Sequence, residues 1–381
     1  MIRNLLICPR DPMMFRDGKP FDAGLGARSI GWPMPSTVAG HIRTRLWGER
    51  KFPGNEDKLR AISQIGPFFA SQDEKYQWDL SFPAPADAAI YGRKAAFEIV
   101  PLRPTRTAFR GAACDLPVGL SPLAGARSEK ETDSAPGFWT REQTLAWLKK
   151  TDAPSWIRAA ESLGHAGPPE QTRLHVEIGR GSRNAAEGML FRTVSREFDF
   201  DTQFRRKERR EGQRLSRACA IFSRVVAEDG DWSETNGAGP MGGEQRLAVW
   251  ETAKKNLLPP APESLATAKN IRLQLVTPGA FSHGWKPAWV DTGEPPDCLG
   301  LKLHLISAAV KRPVAVSGFD MTKAGQDRLR PTRLLAPAGS VYFFEVETGD
   351  PRSLWLQSIC DDPQSRHDGF GLVLVGEWAW P

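Results

Sequence analysis

The chain has 381 residues, of which 40% are hydrophobic and 25% are charged, and its formal net charge is +6. These values are typical of a globular protein with a buried core, and the length allows two domains. No apolar run approaches the roughly 20 residues that a membrane span needs, so we expect a soluble, cytoplasmic protein without a membrane partner. The five cysteines are scattered and form no paired motif, which argues against a disulfide framework and against a zinc site.

The first third of the sequence predicts a strand, a helix and further short strands. Apolar residues predict a strand at 2–8, a helix over 36–49 and a second amphipathic segment at 57–64, and strands broken by prolines follow. This order resembles the beginning of a βαββαβ unit. We interpret residues 104 to about 170 as an insertion that carries one helix capped by Thr140.

The remaining sequence predicts two sets of strands, separated by a proline-rich linker at 254–270. A glycine-rich loop at 237–243 precedes the last strand of the first set. Residues 339–345 are apolar on both faces, so we expect a strand from the interior of a sheet. No period of 20 to 50 residues repeats, so any internal duplication would be visible only in the structure. The predicted strands lie at 173–178, 188–200, 215–228 and 246–252 in the first set and at 271–277, 301–310, 312–320, 340–347 and 371–380 in the second.

Residues 11–40 combine a long irregular loop with the start of a basic helix. Ser36 and Thr37 can cap free amides, and Arg43 and Arg45 lie off the apolar face of the helix. The unpaired N–H groups of a helix start attract an anion, and glycines in the loop let a phosphate come close to the backbone. The segment therefore predicts a phosphate-binding site, with an ordinary helix cap after an ordinary loop as the alternative.

Basic residues concentrate at 203–217, where seven of them stand against two acidic residues. Such a run is usually a solvated surface. Arg192 lies nearby in the sequence, and arginine's planar guanidinium suits phosphate oxygens and stacks on bases, so we favour RNA as the partner. The stretch 93–110 is also basic, and two basic stretches predict an extended track for a nucleic acid.

Six segments resemble one protein family, and they occur in order along the chain. They resemble the RAMP proteins of CRISPR effector complexes, and most closely the third-subunit family of the type III-B (Cmr) complex. The resemblance extends from Arg10 to Trp378. The six segments are 11–21, 35–40, 173–191, 314–321, 337–345 and 366–378.

The resemblance implies an α+β fold of two ferredoxin-like (RRM-related, βαββαβ) domains with antiparallel sheets and long inserted loops. It places the domains at 1–255, with insertions at about 104–170 and 200–217, and at 256–381. It also implies a non-catalytic subunit that binds the 5′ repeat-derived tag of a guide RNA in antiviral defence. The implied partners are the guide RNA, the large palm-domain subunit and the backbone subunits of a hetero-oligomer. No cofactor or metal is implied.

The candidate RNA contacts come from four segments of the sequence, and we expect the glycine turns and arginines of both halves to meet at one groove. In RRM-related folds, a single strand lies close to a sheet face or a glycine loop, and arginine and backbone N–H groups bind its phosphates. The turn at 366–371 offers a cation beside two glycines, although it could be no more than a tight turn before the last strand. The candidate contacts are Arg16, Ser36, Thr37, His41, Arg43, Arg45, Arg192, Arg205, Arg206, Gly242, Gly243, Arg246, Arg366, His367 and Gly369.

The alternative function is a metal-independent endoribonuclease that processes guide RNA. RAMP relatives with this activity use a histidine to move the proton of the 2′-hydroxyl group and a cation to stabilise the developing charge. His41 is the candidate general acid or base because Arg43 and Arg45 lie beside it, but no paired acid or base accompanies it. A protein-only interaction module without RNA affinity is a third possibility.

Overall fold

The computed structural model shows a strand-rich molecule with five short helices in the part of the chain that it describes. All strand pairs between the described strands are antiparallel, which confirms the predicted α+β class with antiparallel sheets. None of the helices among these residues is long and apolar enough to cross a membrane. The described residues are 1–16, 29–48, 56–73, 75–93, 96–106, 116–149, 155–179, 181, 183–198, 219–227, 237–319 and 329–381.

The N-terminal half contains fifteen of the described strands and four of the helices. The helices are α1 (Pro35–Gly48), α2 (Glu56–Ala61), α3 (Arg141–Leu148) and α4 (Ala160–Leu163). The strands are β1 (Ile2–Pro9), β2 (Ser63–Gln72), β3 (Trp78–Pro83), β4 (Ala88–Arg93), β5 (Ala96–Pro101), β6 (Arg103–Pro104), β7 (Leu123–Ala124), β8 (Phe138–Thr140), β9 (Trp156–Ala159), β10 (Gly164–His165), β11 (Glu170–Ile178), β12 (Ala185–Arg196), β13 (Cys219–Val226), β14 (Gly237–Pro240) and β15 (Leu247–Thr252).

The C-terminal half contains six described strands and one helix. Single turns of 3₁₀ helix at Glu263–Thr267, Ala288–Asp291 and Pro351–Leu354 join them. The elements are β16 (Asn270–Leu275), β17 (Lys302–Ala309), β18 (Val314–Phe319), β19 (Leu329–Leu335), β20 (Val341–Thr348), α5 (Pro363–His367) and β21 (Val373–Glu377).

The large N-terminal sheet has the order β10-β8-β3-β2-β13-β1-β15-β14 and is covered on both faces. Helix α1 packs its Val38, Ile42 and Leu46 side chains against one face, because residues four apart lie on one side of a helix. The other face, with Leu6 and Phe222, shares one apolar cluster with residues of the C-terminal sheet. The two halves are therefore joined by a continuous hydrophobic core.

The C-terminal sheet has the order β17-β20-β16-β21. Residues 341–344 of β20 are all buried, and β20 lies between two neighbours, which confirms the predicted interior strand. If the four strands are counted in chain order, the order is 2-3-1-4. The strands β1, β2, β13 and β15 of the N-terminal sheet have the same order.

The connections between these strands also correspond. Each half inserts a two-stranded hairpin between its second and third strands. We name β11–β12 the N-terminal arm and β18–β19 the C-terminal arm. Each half also has a glycine turn before its fourth strand, at 241–246 and at 366–371, which we name the N-terminal and C-terminal glycine turns. The sequence shows no repeat, so the duplication is visible only in the structure.

Most predicted elements are present, but the segment 104–170 is not simply an inserted loop. Strands β8 and β10 from this segment extend the edge of the N-terminal sheet. Thr140 caps α3 as predicted, since its hydroxyl accepts a hydrogen bond from the Gln143 amide at 3.3 Å. Part of the predicted glycine loop at 237–243 is instead strand β14, and β19 was missed because two prolines flank or interrupt its apolar residues.

A buried charge network joins the segment 84–148 to the C-terminal sheet. The Asp87 carboxylate accepts hydrogen bonds from Trp147 Nε1 at 2.9 Å, from Arg103 at 3.1 Å and from Arg272 at 2.6 Å. Arg272 lies on β16 at the centre of the sheet, and it also donates to the carbonyl of Trp147. Burial lowers the pKa of Arg272, and the Asp87 charge counteracts this shift. One carboxylate therefore holds two buried guanidinium groups.

The Asp87→Asn variant is expected to lose about 3–5 kcal/mol of unfolding free energy, because it leaves two buried guanidinium groups without a counter-charge. Asp133→Asn is the matched control, since the ion pair of Asp133 with Lys130 is exposed and contributes little. Urea unfolding of both variants provides the measurement. Equal midpoints for the two variants would contradict a structural role for the network.

Candidate RNA interface

Three segments meet at one surface of the N-terminal half. Met13 follows β1, and it exchanges two backbone hydrogen bonds of 2.8 and 2.7 Å with Arg196 at the base of the N-terminal arm. The Gly243 amide donates to the Met14 carbonyl at 2.7 Å. We name this meeting point, formed by residues 13–16, Arg196 and the N-terminal glycine turn, the N-terminal junction.

Glycine is required at position 242 because the chain packs against itself there. Gly242 has a φ of +71°, and a Cβ atom at this position would collide with the Met14 carbonyl oxygen. The sequence analysis expected the glycines to admit a phosphate. The structure instead places the backbone of residue 14 in this space, so Gly242 shapes the junction and does not itself present an open cradle.

Two candidate arginines extend into solvent from the junction. Arg16 is exposed, and its Cγ atom lies 3.6 Å from the ideal Cβ position of Gly243. Arg192 is exposed on β12, four residues and about 13 Å along the strand from Arg196. Within the described ranges, neither arginine has an ion-pair partner. The charge of Arg246 is compensated by Glu244, with which it pairs at 2.6 Å.

The start of α1 offers less to an anion than the sequence suggested. The helix begins at Pro35, and the amides of Thr37 and Val38 already donate to the Met34 carbonyl at 2.9 and 3.4 Å. Ser36 and Thr37 are half-buried. The amides of Thr37 and Val38 are thus hydrogen-bonded within the first turn. The hydroxyls of Ser36 and Thr37 are therefore the remaining candidates for binding an anion.

His41 is a structural residue, which corrects its assignment as an RNA contact. The ring is 5% exposed, its Nδ1 lies 2.7 Å from the Pro240 carbonyl, and its Nε2 accepts a hydrogen bond from Trp250 Nε1 at 2.7 Å. Burial lowers the pKa of His41 to about 4, the Pro240 carbonyl opposes this shift, and Arg45 adds to it. Both ring nitrogens are used, so the ring is not available to a 2′-hydroxyl group.

Arg45 is also bound by its own chain. Its Nη1 donates to the Gly237 carbonyl at 2.8 Å, and its guanidinium lies 4.7 Å from the centre of the Trp250 ring. The glycines of β14 make room for this side chain, since a Cβ at Gly239 would lie 3.2 Å from Arg45 Cδ. The glycine-rich composition of 237–243 is explained in part by this packing.

Arg43 connects the two halves of the molecule. Its Nη1 pairs with Asp368 at 2.7 Å, its Nε donates to the Leu59 carbonyl at 2.9 Å, and its Nη2 donates to the Ile62 carbonyl at 2.9 Å. The side chains of Arg43 and Asp368 are only 17% and 13% exposed. Arg43 therefore belongs to the contact between α1 and the C-terminal glycine turn.

The C-terminal glycine turn is part of the same contact. Gly369 has a φ of +86° and packs against the carbonyl of Gly66, where a side chain would collide. Arg366 donates to the Cys360 and Asp361 carbonyls at 3.1 and 3.0 Å and pairs with Asp297 at 3.2 Å. His367 is exposed, with its Nδ1 at 3.3 Å from the carbonyl of Arg60.

The two glycine turns contact opposite faces of α1. His41 and Arg45 face β14 near the N-terminal turn, whereas Arg43, about 200° around the helix from His41, faces the C-terminal turn. The expectation that both turns line one groove is therefore not met. Arg205 and Arg206 lie outside the described residues.

The sequence analysis left Arg196 out of the candidate contacts, and in the second basic stretch two of the described arginines are bound within the chain. Arg196 donates to the carbonyls of Ile30 and Pro168 and pairs with Glu170 at 2.8 Å, which fixes the arm to the first loop. The sequence feature that could have pointed to Arg196 is its position four residues after the candidate contact Arg192. In the stretch 93–110, Arg103 is buried in the Asp87 network and Arg106 pairs with Glu345 at 3.3 Å.

The family model described as CRISPR-associated protein (Cas_Cmr3) matches residues 5–378. The chain belongs to the Cas_Cmr3 family. This assignment confirms the resemblance to the third-subunit family of the type III-B complex, and the match includes both halves of the chain. No curated protein matches the chain.

Two solved structures resemble the chain at low sequence identity. One is a chain of the cryo-EM structure of the type III-B Cmr-beta bound to cognate target RNA and AMPPnP in state 1, at 17% identity and a TM-score of 0.45. The other is a chain of Cmr-beta bound to cognate target RNA, at 14% identity and a TM-score of 0.46. Each comparison covers 90% of this chain and 86% of the other chain. The family assignment rests on the family model.

Stability is expected to fall as the pH drops from 6.5 towards 4, because of His41. The unfolded chain takes up a proton near the ordinary histidine pKa of about 6.5, whereas the folded chain resists protonation until a pKa of about 4. Once the pH is below both pKa values, this difference lowers the free energy of unfolding by roughly 3 kcal/mol. His41→Asn, whose amide can still donate to Pro240, should reduce the pH dependence of the urea midpoint by about half, because burial also lowers the pKa of His165 to about 4. An unchanged slope would show that His41 is not responsible.

Arg43→Ala is expected to lower the unfolding free energy by about 2–3 kcal/mol, because Asp368 and three backbone carbonyls lose a charged donor. Arg312→Ala is the control, since Arg312 is exposed on the described surface. Thermal or urea unfolding distinguishes the two variants. A wild-type midpoint for Arg43→Ala would contradict the role of Arg43 between the halves.

Proposed function

We propose that this chain is a non-catalytic subunit of a type III-B CRISPR effector complex that binds the 5′ repeat-derived tag of the guide RNA at its N-terminal junction. Membership of the Cas_Cmr3 family supports the complex. The observation that carries the RNA site is the pair of solvent-exposed arginines, Arg16 at the junction and Arg192 about 13 Å along the N-terminal arm, neither of which has an ion-pair partner in the described residues. Uncommitted guanidinium groups bind phosphate oxygens with little competition.

The basic run 203–217 adds to this proposal by its position in the chain. It belongs to the connection 199–218, which leaves the base of the N-terminal arm and returns at β13. Both ends of this connection are thus attached to elements of the N-terminal half. We propose that Arg205 and Arg206 extend the phosphate contacts that Arg16 and Arg192 begin.

The other candidates have different roles in this proposal. Gly242 and Gly243 hold the first loop in place. Arg246 lies at the edge of this loop, and its charge is partly compensated. The hydroxyls of Ser36 and Thr37 lie at the start of α1. The remaining candidates are packing and interdomain residues because their polar groups are bound within the chain: His41, Arg43, Arg45, Arg366, His367 and Gly369.

The N-terminal arm supplies a surface for neighbouring subunits. Four aliphatic side chains on this hairpin, Leu174, Val176, Ile178 and Leu190, are 45% to 65% exposed. Exposed aliphatic clusters of this kind mark interaction surfaces. We propose that the chain links the large palm-domain subunit to the backbone subunits, in the cytoplasm, and that both halves derive from ferredoxin-like units, as their shared strand order supports.

The endoribonuclease alternative depended on His41 as the general acid or base. His41 is buried, bound at both ring nitrogens and neutral at physiological pH. A general acid or base must reach the proton that it transfers. No observation on the described residues favours this activity over binding.

The Arg16→Ala and Arg192→Ala variants are expected to weaken binding of repeat-tag RNA, because each removes a cation that faces a phosphate. Each phosphate that is no longer neutralised should reduce the slope of log affinity against log salt by about 0.7–0.9. Filter binding from low to moderate salt measures both quantities. Arg106→Ala is the control, because Arg106 is exposed but already paired with Glu345. If all three variants kept the wild-type slope, the N-terminal junction would not be the RNA site.

A further inference from the structure

The C-terminal half repeats the geometry of the N-terminal junction. Gly279, which follows β16, exchanges two backbone hydrogen bonds of 2.8 and 2.9 Å with Ala336 at the base of the C-terminal arm. The Gly371 amide donates to the Pro278 carbonyl at 2.8 Å. The Gly279–Ala336 pair corresponds to the Met13–Arg196 pair, while Gly371 donates to the residue before Gly279 and Gly243 donates to the residue after Met13. The same backbone arrangement of first-strand exit, arm and glycine turn therefore occurs twice.

An open cleft of about 380 Å³ lies at this second junction. Its walls come from the residues that follow β16, from the C-terminal arm and from the segment before the glycine turn. This volume is within the range of small ligand-binding pockets and suits one or two side chains. The residues that carry the argument are Phe281, Ser282, Arg333, Leu334, Asp361 and Asp362.

The charge of the second junction is opposite to that of the first. Asp361 and Asp362 line the cleft, whereas the exposed charge without an ion-pair partner in the described part of the N-terminal junction is Arg16. Arg333, the one cation among the described residues of the lining, is engaged by its own chain, because it donates to Ser365 Oγ at 3.2 Å and lies 5.5 Å from the centre of the Phe370 ring. The lining therefore carries two carboxylates against one guanidinium, and this excess of negative charge disfavours phosphate groups and favours a cation.

The cleft also has an apolar wall. Leu334 is 57% exposed at its edge, and Phe281 forms part of its interior. Asp361 accepts bonds from the amide and hydroxyl of Ser282 and from the Ala288 amide, so it is held in position. Asp362 is exposed, so its charge is accessible at the cleft surface. Apolar surface next to a fixed carboxylate suits the stem and head of a long basic side chain.

We propose that this cleft is a protein-docking site that receives an arginine or lysine side chain, with a neighbouring apolar residue, from a partner subunit of the complex. The site is the duplicate of the N-terminal junction, with its charge reversed, so that one half binds RNA and the other binds protein. The statement that this partner is a subunit of the effector complex rests on the proposed function.

The test uses the full chain with Asp362→Ser or Leu334→Ser. Serine at position 362 keeps a cap for the amide of Ser365 and removes the charge. Leu299→Ser is the control, because Leu299 is fully exposed and does not line the cleft. Two affinities are measured for each variant: that for repeat-tag RNA, and that for the purified remaining subunits of the host complex assembled on guide RNA.

Both cleft variants are expected to weaken assembly by about tenfold or more while RNA affinity and the Leu299→Ser control stay at the wild-type level. Assembly unaffected in both cleft variants would overturn the docking site. A loss of RNA affinity by the chain alone would overturn it as well, since the cleft would then be an RNA site. If the wild-type chain itself bound neither RNA nor subunits, the proposed function would fail instead, and the two failures are thus distinguishable.

Discussion

The whole structure depends on the burial of Arg272 at the centre of the C-terminal sheet, against Asp87. A guanidinium group in this position is unfavourable unless a carboxylate and further acceptors accompany it. Asp87 comes from a connection in the N-terminal half, and Trp147 comes from α3, so the charge can be satisfied only when the segment 84–148 is docked on the sheet. The ion network thus specifies how the halves fit, while the shared apolar cluster supplies most of the attraction.

Duplication of the backbone without duplication of the surface explains how one chain can have two kinds of partner. In both junctions the strand exit exchanges two backbone hydrogen bonds with the arm and accepts one from the glycine turn, although the accepting residue differs in position. The side chains around the turns are under no such constraint. The first junction presents the exposed Arg16, and the second presents two aspartates against one arginine. Conserved backbone geometry with variable side chains is the general way in which a fold accepts a new function.

The glycines and arginines of this chain illustrate why a motif does not define a ligand site. A glycine that permits a close approach is equally useful to a phosphate and to a backbone carbonyl, and in Gly242 and Gly369 the carbonyl of the chain itself takes the space. An arginine that suits phosphate oxygens also suits an aspartate and several carbonyls, as Arg43 shows. Arg16 is exposed to solvent, whereas the donors of Arg43 are bound within the chain. The local sequence predicts neither property.

The sequence by itself determined the α+β class, the positions of most strands, the cap at Thr140, the interior strand at 341–344 and the family. These features depend on local periodicity, on capping chemistry or on motifs in order, which are all properties of neighbouring residues. Only the tertiary structure decided that β8 and β10 extend the main sheet, that His41 and Arg43 are internal, and that the two halves share one junction geometry. Those facts depend on contacts between residues far apart in the chain, such as Arg43 with Asp368 and Asp87 with Arg272, and no local pattern encodes them.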